Sequence, residues 1–156
     1  MGKRSDFKRR PMDLYPTPYE AVLPLLPWVG ENVTFCEPCA GDGDLINHLQ
    51  AHGHHCVAAY DAAPETSHPR MDARLLERAH LKGADYIITN PPWTRDLLHD
   101  MIVRFSDLAP TWLLFDADWL FTKQASPYLD RCTAIVAVGR VKWIPGSKNT
   151  GKDNCA

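Results

Sequence analysis

The chain has 156 residues, of which 45% are hydrophobic and 23% charged. That is enough for one domain with a real core, and too apolar for a disordered chain. No run approaches the ~20 apolar residues that a membrane span needs, and a net charge of -2 does not by itself announce a nucleic-acid partner.

The charge is unevenly placed. Residues 1–10 carry five basic groups and one acid, a net +4. Residues 140–153 carry four basic groups and one acid, a net +3. The middle keeps the other 8 basic and 17 acidic groups, a net -9. Basic ends around an acidic body suit a clamp on a phosphate backbone, and equally suit two solvated tails. Residues 1–13 read as a disordered basic arm without an apolar signal core, so a cytoplasmic location is expected. Five cysteines without a dense framework imply reduced thiols, in keeping with that compartment. Cys36 and Cys39 form C-x-x-C, but no second half-site with zinc-ligand spacing follows. His52, His54 and His55 read as a polar turn around Gly53, so no metal is expected.

In chain order, Thr17-Pro18-Tyr19-Glu20 looks like a helix start. Thr17 would cap, Pro18 would take the first helical position, and Glu20 would complete a capping box. Pro24 and Pro27 should keep that helix short or irregular. Val33–Glu37 is a β-favouring run, followed by a tight loop over 38–43. Asp44–His52 predicts a helix with Leu45, Ile46 and Leu49 on one face, stopped at Gly53. Cys56–Tyr60 is the next strand, ending at Asp61. A helix is expected near Ala73–Ala79, a strand at Tyr86–Thr89, a helix over 95–108 and a strand at Trp112–Phe115. Part of 119–130 should be helical. Thr133–Val138 and Arg140–Ile144 look like two final strands, separated by Gly139. Alternating strands and helices predict one α/β domain over 14–156, Rossmann-like, with a mainly parallel sheet and helices on both faces. In such sheets ligands sit at the carboxyl ends of the strands. Three of those ends carry conspicuous residues: Glu37 with its glycine loop, Asp61, and Asn90.

The loop reads Glu37-Pro38-Cys39-Ala40-Gly41-Asp42-Gly43-Asp44. Gly41 and Gly43 permit a tight turn and close backbone approach to a ligand. A dinucleotide fingerprint would need a third glycine where Ile46 stands, so it fails. Glu37, Asp42 and Asp44 would repel a pyrophosphate at a helix N-terminus. They suit a ligand with positive character, such as S-adenosylmethionine, which has a sulfonium and an ammonium and no phosphate. Glu37, Pro38, Ala40, Gly41 and Gly43 are the cofactor-binding candidates of this loop. Asp61 can accept from both ribose hydroxyls, or serve as a turn or cap residue. Asp72 can accept from the cofactor's adenine amine, or cap the helix that follows.

The most specific feature is Asn90-Pro91-Pro92-Trp93 at a strand end, 53 residues after Glu37. With the E-P-x-x-G-x-G loop upstream, it resembles the amino-methyltransferases that act on adenine or on glutamine side chains. The order of motifs resembles that of small phage-type adenine (6-amino) methyltransferases. The resemblance covers residues 14–93 well and the rest more weakly. It implies a class I methyltransferase fold, S-adenosyl-L-methionine as cofactor, and methyl transfer to an exocyclic amine, foremost adenine in DNA. It also implies that Asn90 and Pro91 accept the amine's hydrogens. That polarises and positions the nitrogen without a general base. Asn90 would also touch the cofactor. Pro92 stiffens the backbone, and Trp93 would stack on a base flipped from its duplex, unless it is simply a core aromatic. Tyr15-Pro16-Thr17-Pro18 is similar to the family's Y-x-T-P segment, which would bring Tyr15 and Thr17 to the amino-acid end of the cofactor.

Only 63 residues follow Trp93, so no separate target-recognition domain is expected, and specificity would come from a homodimer or a partner subunit. The segment around Lys142 and Lys148 resembles the tail of the phage relatives, which run on further; this suggests a minimal or truncated form. It reads as a phosphate-contacting segment or as a surface loop. Gly146–Lys152 also spells G-x-x-x-x-G-K, but Asp153 replaces the required Ser or Thr. The other readings are methylation of RNA adenine, methylation of a protein glutamine amide, and a non-catalytic methyltransferase-like subunit.

Overall fold

A computed structural model describes residues 15–63, 67–146 and 152–156. The first elements are short. Helix α1 spans Tyr19–Val22, a 3₁₀ turn follows over Leu23–Leu25, and α2 spans Leu26–Val29. The interruptions fall at Pro24 and Pro27, whose rings and missing N–H groups do not allow one continuous helix. The start of α1 differs from expectation. Pro18, in an extended conformation, is the N-cap, and no side chain caps the helix. Thr17 is instead buried and turned towards the sheet.

Strands β1 (Thr34–Glu37), β2 (His55–Ala59), β3 (Tyr86–Thr89) and β4 (Thr111–Leu113) form one parallel sheet in the order β2-β1-β3-β4. The two-residue period of the strands sorts their side chains. Phe35 and Ile88 face Val22, Leu45 and Leu49 on one side. Cys36 and Ile87 face Leu76, Met101 and Phe105 on the other. Helix α3 (Asp44–Ala51) covers the first face and α4 (Arg95–Leu108) the second. Leu98, Met101, Ile102 and Phe105 form the buried stripe of α4, at the spacing a helix face requires. The helix expected near Ala73–Ala79 is two 3₁₀ turns, Ala73–Leu75 and Arg78–Leu81. Asp72 caps the first through the Arg74 amide, and extended Leu76 ends it. The helix expected within 119–130 is likewise replaced by 3₁₀ turns over Ala117–Phe121 and Ser126–Arg131.

The C-terminal part departs most from the sequence reading. Strand β5 (Gly139–Lys142) pairs antiparallel with β6 (Lys152–Cys155), where no strand was expected. Thr133–Val138 forms no strand, and Ile135 stays 60% exposed. The reason is visible in the hydrogen bonds. The Val138 amide donates to the Cys155 carbonyl, while Phe115 and Ala156 exchange both of their backbone bonds. The end of β6 therefore bonds to Phe115, just after β4, on one side and to Val138 on the other. Cys155, Val141, Trp143 and Ala21 make a small buried cluster that seats the hairpin on the sheet. Lys148 and the arm at residues 1–13 lie outside the described residues. Among the described residues no helix is long and apolar enough to cross a membrane.

Candidate functional site

Because all four strands are parallel, their carboxyl ends share one edge. A cavity of about 230 Å³ opens there. It is lined by Tyr15 and Thr17 ahead of α1, by Glu37, Pro38, Ala40 and Gly41 after β1, by Asp61 and Asp72 after β2, and by Asn90 and Pro92 after β3. Residues up to 77 positions apart thus meet as the sequence implied.

The loops are laced together by backbone bonds. The Tyr60 amide donates to the Glu37 carbonyl (3.0 Å), and the Ala40 amide to the Tyr60 carbonyl (2.9 Å). The Gly43 amide closes the turn on the Ala40 carbonyl at 2.8 Å. Gly43 caps α3 with φ at +88°, a conformation that glycine takes without strain. Gly43 does not itself line the cavity; its role is to shape the turn.

Asp61 is buried, and its two oxygens accept from the Gly41 amide (2.7 Å) and the Ala63 amide (2.7 Å). It is therefore a brace for the glycine loop as well as a cavity wall. Each carboxylate oxygen keeps a second lone pair for a ligand. Asp72 caps its 3₁₀ turn and holds Arg74 at 2.6 Å. This ion pair keeps the Asp72 carboxyl below its usual range. Asp72 thus acts as the cap its sequence allowed, and it also lines the cavity. Glu37 is 1% exposed at the end of β1. Burial pushes its pKa up to about 8, against the opposing bond from the Cys39 amide at 3.0 Å. Burial likewise pushes Cys36 up to about 12 and raises Cys39 well above the ordinary thiol range. Such thiols stay protonated and are poor nucleophiles at neutral pH. Among the described residues no group of three or more His, Cys, Asp or Glu is arranged to hold a metal ion.

Asn90 stands at the end of β3. Its Nδ2 donates to the Thr17 hydroxyl oxygen at 3.1 Å, which leaves Oδ1 as the acceptor of the amide. Pro91 is buried beneath the cavity and does not line it. Trp93 is also placed differently from the stacking platform expected of it. Its Nε1 donates to the Leu114 carbonyl (3.4 Å), and its ring meets Trp143 edge-on at 5.4 Å. It belongs to the apolar cluster under the hairpin, as a core aromatic would. Lys142 lies at the end of β5, away from the cavity lining.

Sequence reasoning missed several cavity residues. Leu97 and Met101 of α4 also line the cavity. Their i, i+4 spacing is a core signal and gives no hint of a site. Arg74 was visible only as the partner of Asp72. Arg95 and Asp116, paired at 3.3 Å, tie the loop after β4 to the start of α4; nothing in their spacing announces this.

A second cavity, of about 690 Å³, runs along the open edge of β4 beside Thr133–Val138. It is larger and mainly apolar. The chemistry-bearing residues gather in the smaller one. There Asp42, Asp44, Asp61 and Asp72 face the single cation Arg74. An excess of carboxylates favours a cationic ligand and disfavours a phosphate.

No family model and no curated protein matches the chain. Solved structures do. A proposed RNA methyltransferase of Pyrococcus horikoshii superposes with a TM-score of 0.60 at 14% identity, over 98% of this chain and 88% of that one. A precorrin-6y C5,15-methyltransferase of Geobacter metallireducens gives 0.58 at 13% identity, over 96% and 90%. A TehB-like S-adenosylmethionine-dependent methyltransferase of Corynebacterium glutamicum gives 0.54 at 11% identity, over 89% and 86%. The chain has the Rossmann-like fold of class I methyltransferases. The substrates named for these proteins differ, so the fold leaves the choice of substrate to the site.

Proposed function

We propose that this chain is an S-adenosyl-L-methionine-dependent methyltransferase acting on an exocyclic amine, foremost the 6-amino group of adenine in DNA. The observation that carries the reading is the Asn90 amide. It is fixed by Thr17 at the rim of an acidic cavity, on the strand next to the glycine loop. The donor set fits the cofactor. Glu37 and the nearby acids suit its ammonium and sulfonium, Asp61 has lone pairs for the ribose, and Asp72 adds a further acceptor to the lining. When bound, the cofactor supplies an electrophilic methyl group.

The rest of the chemistry belongs to this chain. An exocyclic adenine amine is a poor nucleophile because its lone pair is delocalised into the ring. Asn90 Oδ1, the acceptor that lines the cavity, takes one of the amine hydrogens and favours a pyramidal nitrogen with its lone pair directed at the methyl. The effect is positioning and polarisation. The two prolines supply no competing N–H donors. Leu97 and Met101 give the cavity an apolar wall that excludes water. The basic residues near both ends, Lys142 among them, supply charge for a phosphate backbone.

The test is transfer of labelled methyl from S-adenosylmethionine to unmethylated duplex DNA, structured RNA and a glutamine peptide, followed by nucleoside and amino-acid analysis. Label in N6-methyladenine from DNA is expected. Label confined to RNA or to the peptide overturns the DNA assignment and keeps the reaction class. A protein that binds the cofactor and labels none of the three contradicts the amine reading.

A further inference from the structure

We propose that His48 is a positioning residue that holds the Asn90 amide in place through Thr17. The proposal rests on the reading of Asn90 as the group that receives the substrate amine.

Thr17 and Asn90 are 73 residues apart, and their bond crosses from an irregular segment to the end of β3. Residues 15–18 belong to no strand or helix, so the sheet does not place Thr17. His48 does. Its Nε2 donates to the Thr17 carbonyl at 2.9 Å, from a position on α3, which packs on the sheet. The imidazole is itself braced. The Tyr19 ring meets it edge-on at 5.3 Å, and the Tyr19 hydroxyl is hydrogen-bonded to His52 Nε2 at 2.9 Å, one turn further along α3. The connected path is α3, His48, the Thr17 backbone, the Thr17 hydroxyl and Asn90. Thr17 is only 7% exposed, so few solvent bonds compete with it.

The orientation matters because the two ends of a side-chain amide are chemically opposite. With Nδ2 on Thr17, Oδ1 is the end presented to an incoming amine. Turned the other way, Asn90 would set its NH₂ against the substrate's NH₂, donor against donor. A Thr17 that is free to shift no longer holds the amide where Oδ1 meets the amine. The productive fraction then falls. His48 touches neither cofactor nor substrate in this scheme and acts only through Thr17.

The test uses the full chain carrying His48→Ala, His48→Gln, Thr17→Val and Thr17→Ser, with the fold checked by thermal melting. The first readout is the side-chain amide signal of Asn90 in ¹⁵N NMR and its protection from solvent exchange. It should lose protection in His48→Ala and Thr17→Val. It should stay near wild type in His48→Gln, whose amide can still donate to the Thr17 carbonyl, and in Thr17→Ser. The second readout is turnover. His48→Ala should lower kcat roughly tenfold with a smaller change in cofactor affinity, and His48→Gln should recover most of the loss. An Asn90 amide unchanged in both His48→Ala and Thr17→Val overturns the relay. The NMR readout needs no substrate. A protein that transfers no methyl group therefore still tests the relay, and an intact relay without transfer contradicts only the functional reading.

Discussion

Asn90→Ala is expected to lower methyl transfer by about two to three orders of magnitude, the loss typical of removing one group aimed at the reacting centre. Affinity for the product cofactor should change only a few-fold. The argument is positional. Among the described residues, Asn90 alone joins the cavity, the end of the central strand β3 and a fixed bond to Thr17. Alanine keeps the strand and the two prolines but removes the acceptor. Glu37, Gly41 and Asp61, the proposed cofactor side, are held by their own bonds and do not depend on Asn90. Single-turnover kinetics with calorimetry of S-adenosylhomocysteine separates the two effects. Wild-type turnover in Asn90→Ala would remove Asn90 from the chemistry altogether.

The second large effect is expected from Glu37→Gln, and its sign depends on pH. In the folded chain the Glu37 carboxyl titrates near 8, against an ordinary value of 4.5. The folded state therefore holds a proton that the unfolded chain has lost between these values. The associated stability is fully present below pH 4.5, falls as pH rises, and is lost by the time pH passes 8. Glutamine is neutral and nearly the same shape, so it should abolish this slope. Near pH 8.5 the variant should be more stable than wild type by about 3–5 kcal/mol, from a shift of this size in a fully buried group. It should also bind the cofactor worse at that pH, because the ionised carboxylate that suits an ammonium is gone. At pH 6, where Glu37 is already neutral, the two proteins should bind alike. Thermal melts and calorimetry at both pH values check this. In wild type, binding near neutral pH should release a proton, read from the dependence of the heat on buffer. Equal pH slopes in wild type and variant would show that Glu37 is not held neutral by burial.

The parts of this account that were legible in the sequence share a physical basis. Strand β3 and helix α4 were read at their observed bounds because each has strong periodicity and local stop signals. Tyr86–Thr89 runs into the prolines, and Leu98, Met101, Ile102 and Phe105 mark one helix face. The meeting of Glu37, Asp61 and Asn90 followed from topology, since parallel strands put their carboxyl ends on one edge. What was not legible depends on distant partners. Thr133–Val138 has every local mark of a strand. It forms no strand: a cavity separates it from the edge of β4, and its last residue, Val138, bonds to Cys155 instead. Trp93 was read as a stacking surface because nothing local reveals Trp143 as its neighbour. Thr17 looked like a helix cap because its bond to Asn90 spans 73 residues. The 3₁₀ turns at Ala73–Leu75 and Arg78–Leu81 replaced a helix through single side-chain caps that propensity does not weigh.

The most direct measurement of the central claim is a crystal structure of the chain soaked with S-adenosylhomocysteine. The account requires the ligand in the acidic cavity, in contact with the glycine loop and Asp61, with its sulfur on the side of Asn90. Ligand bound instead in the apolar groove along β4, or no binding at all by a folded protein, would contradict it.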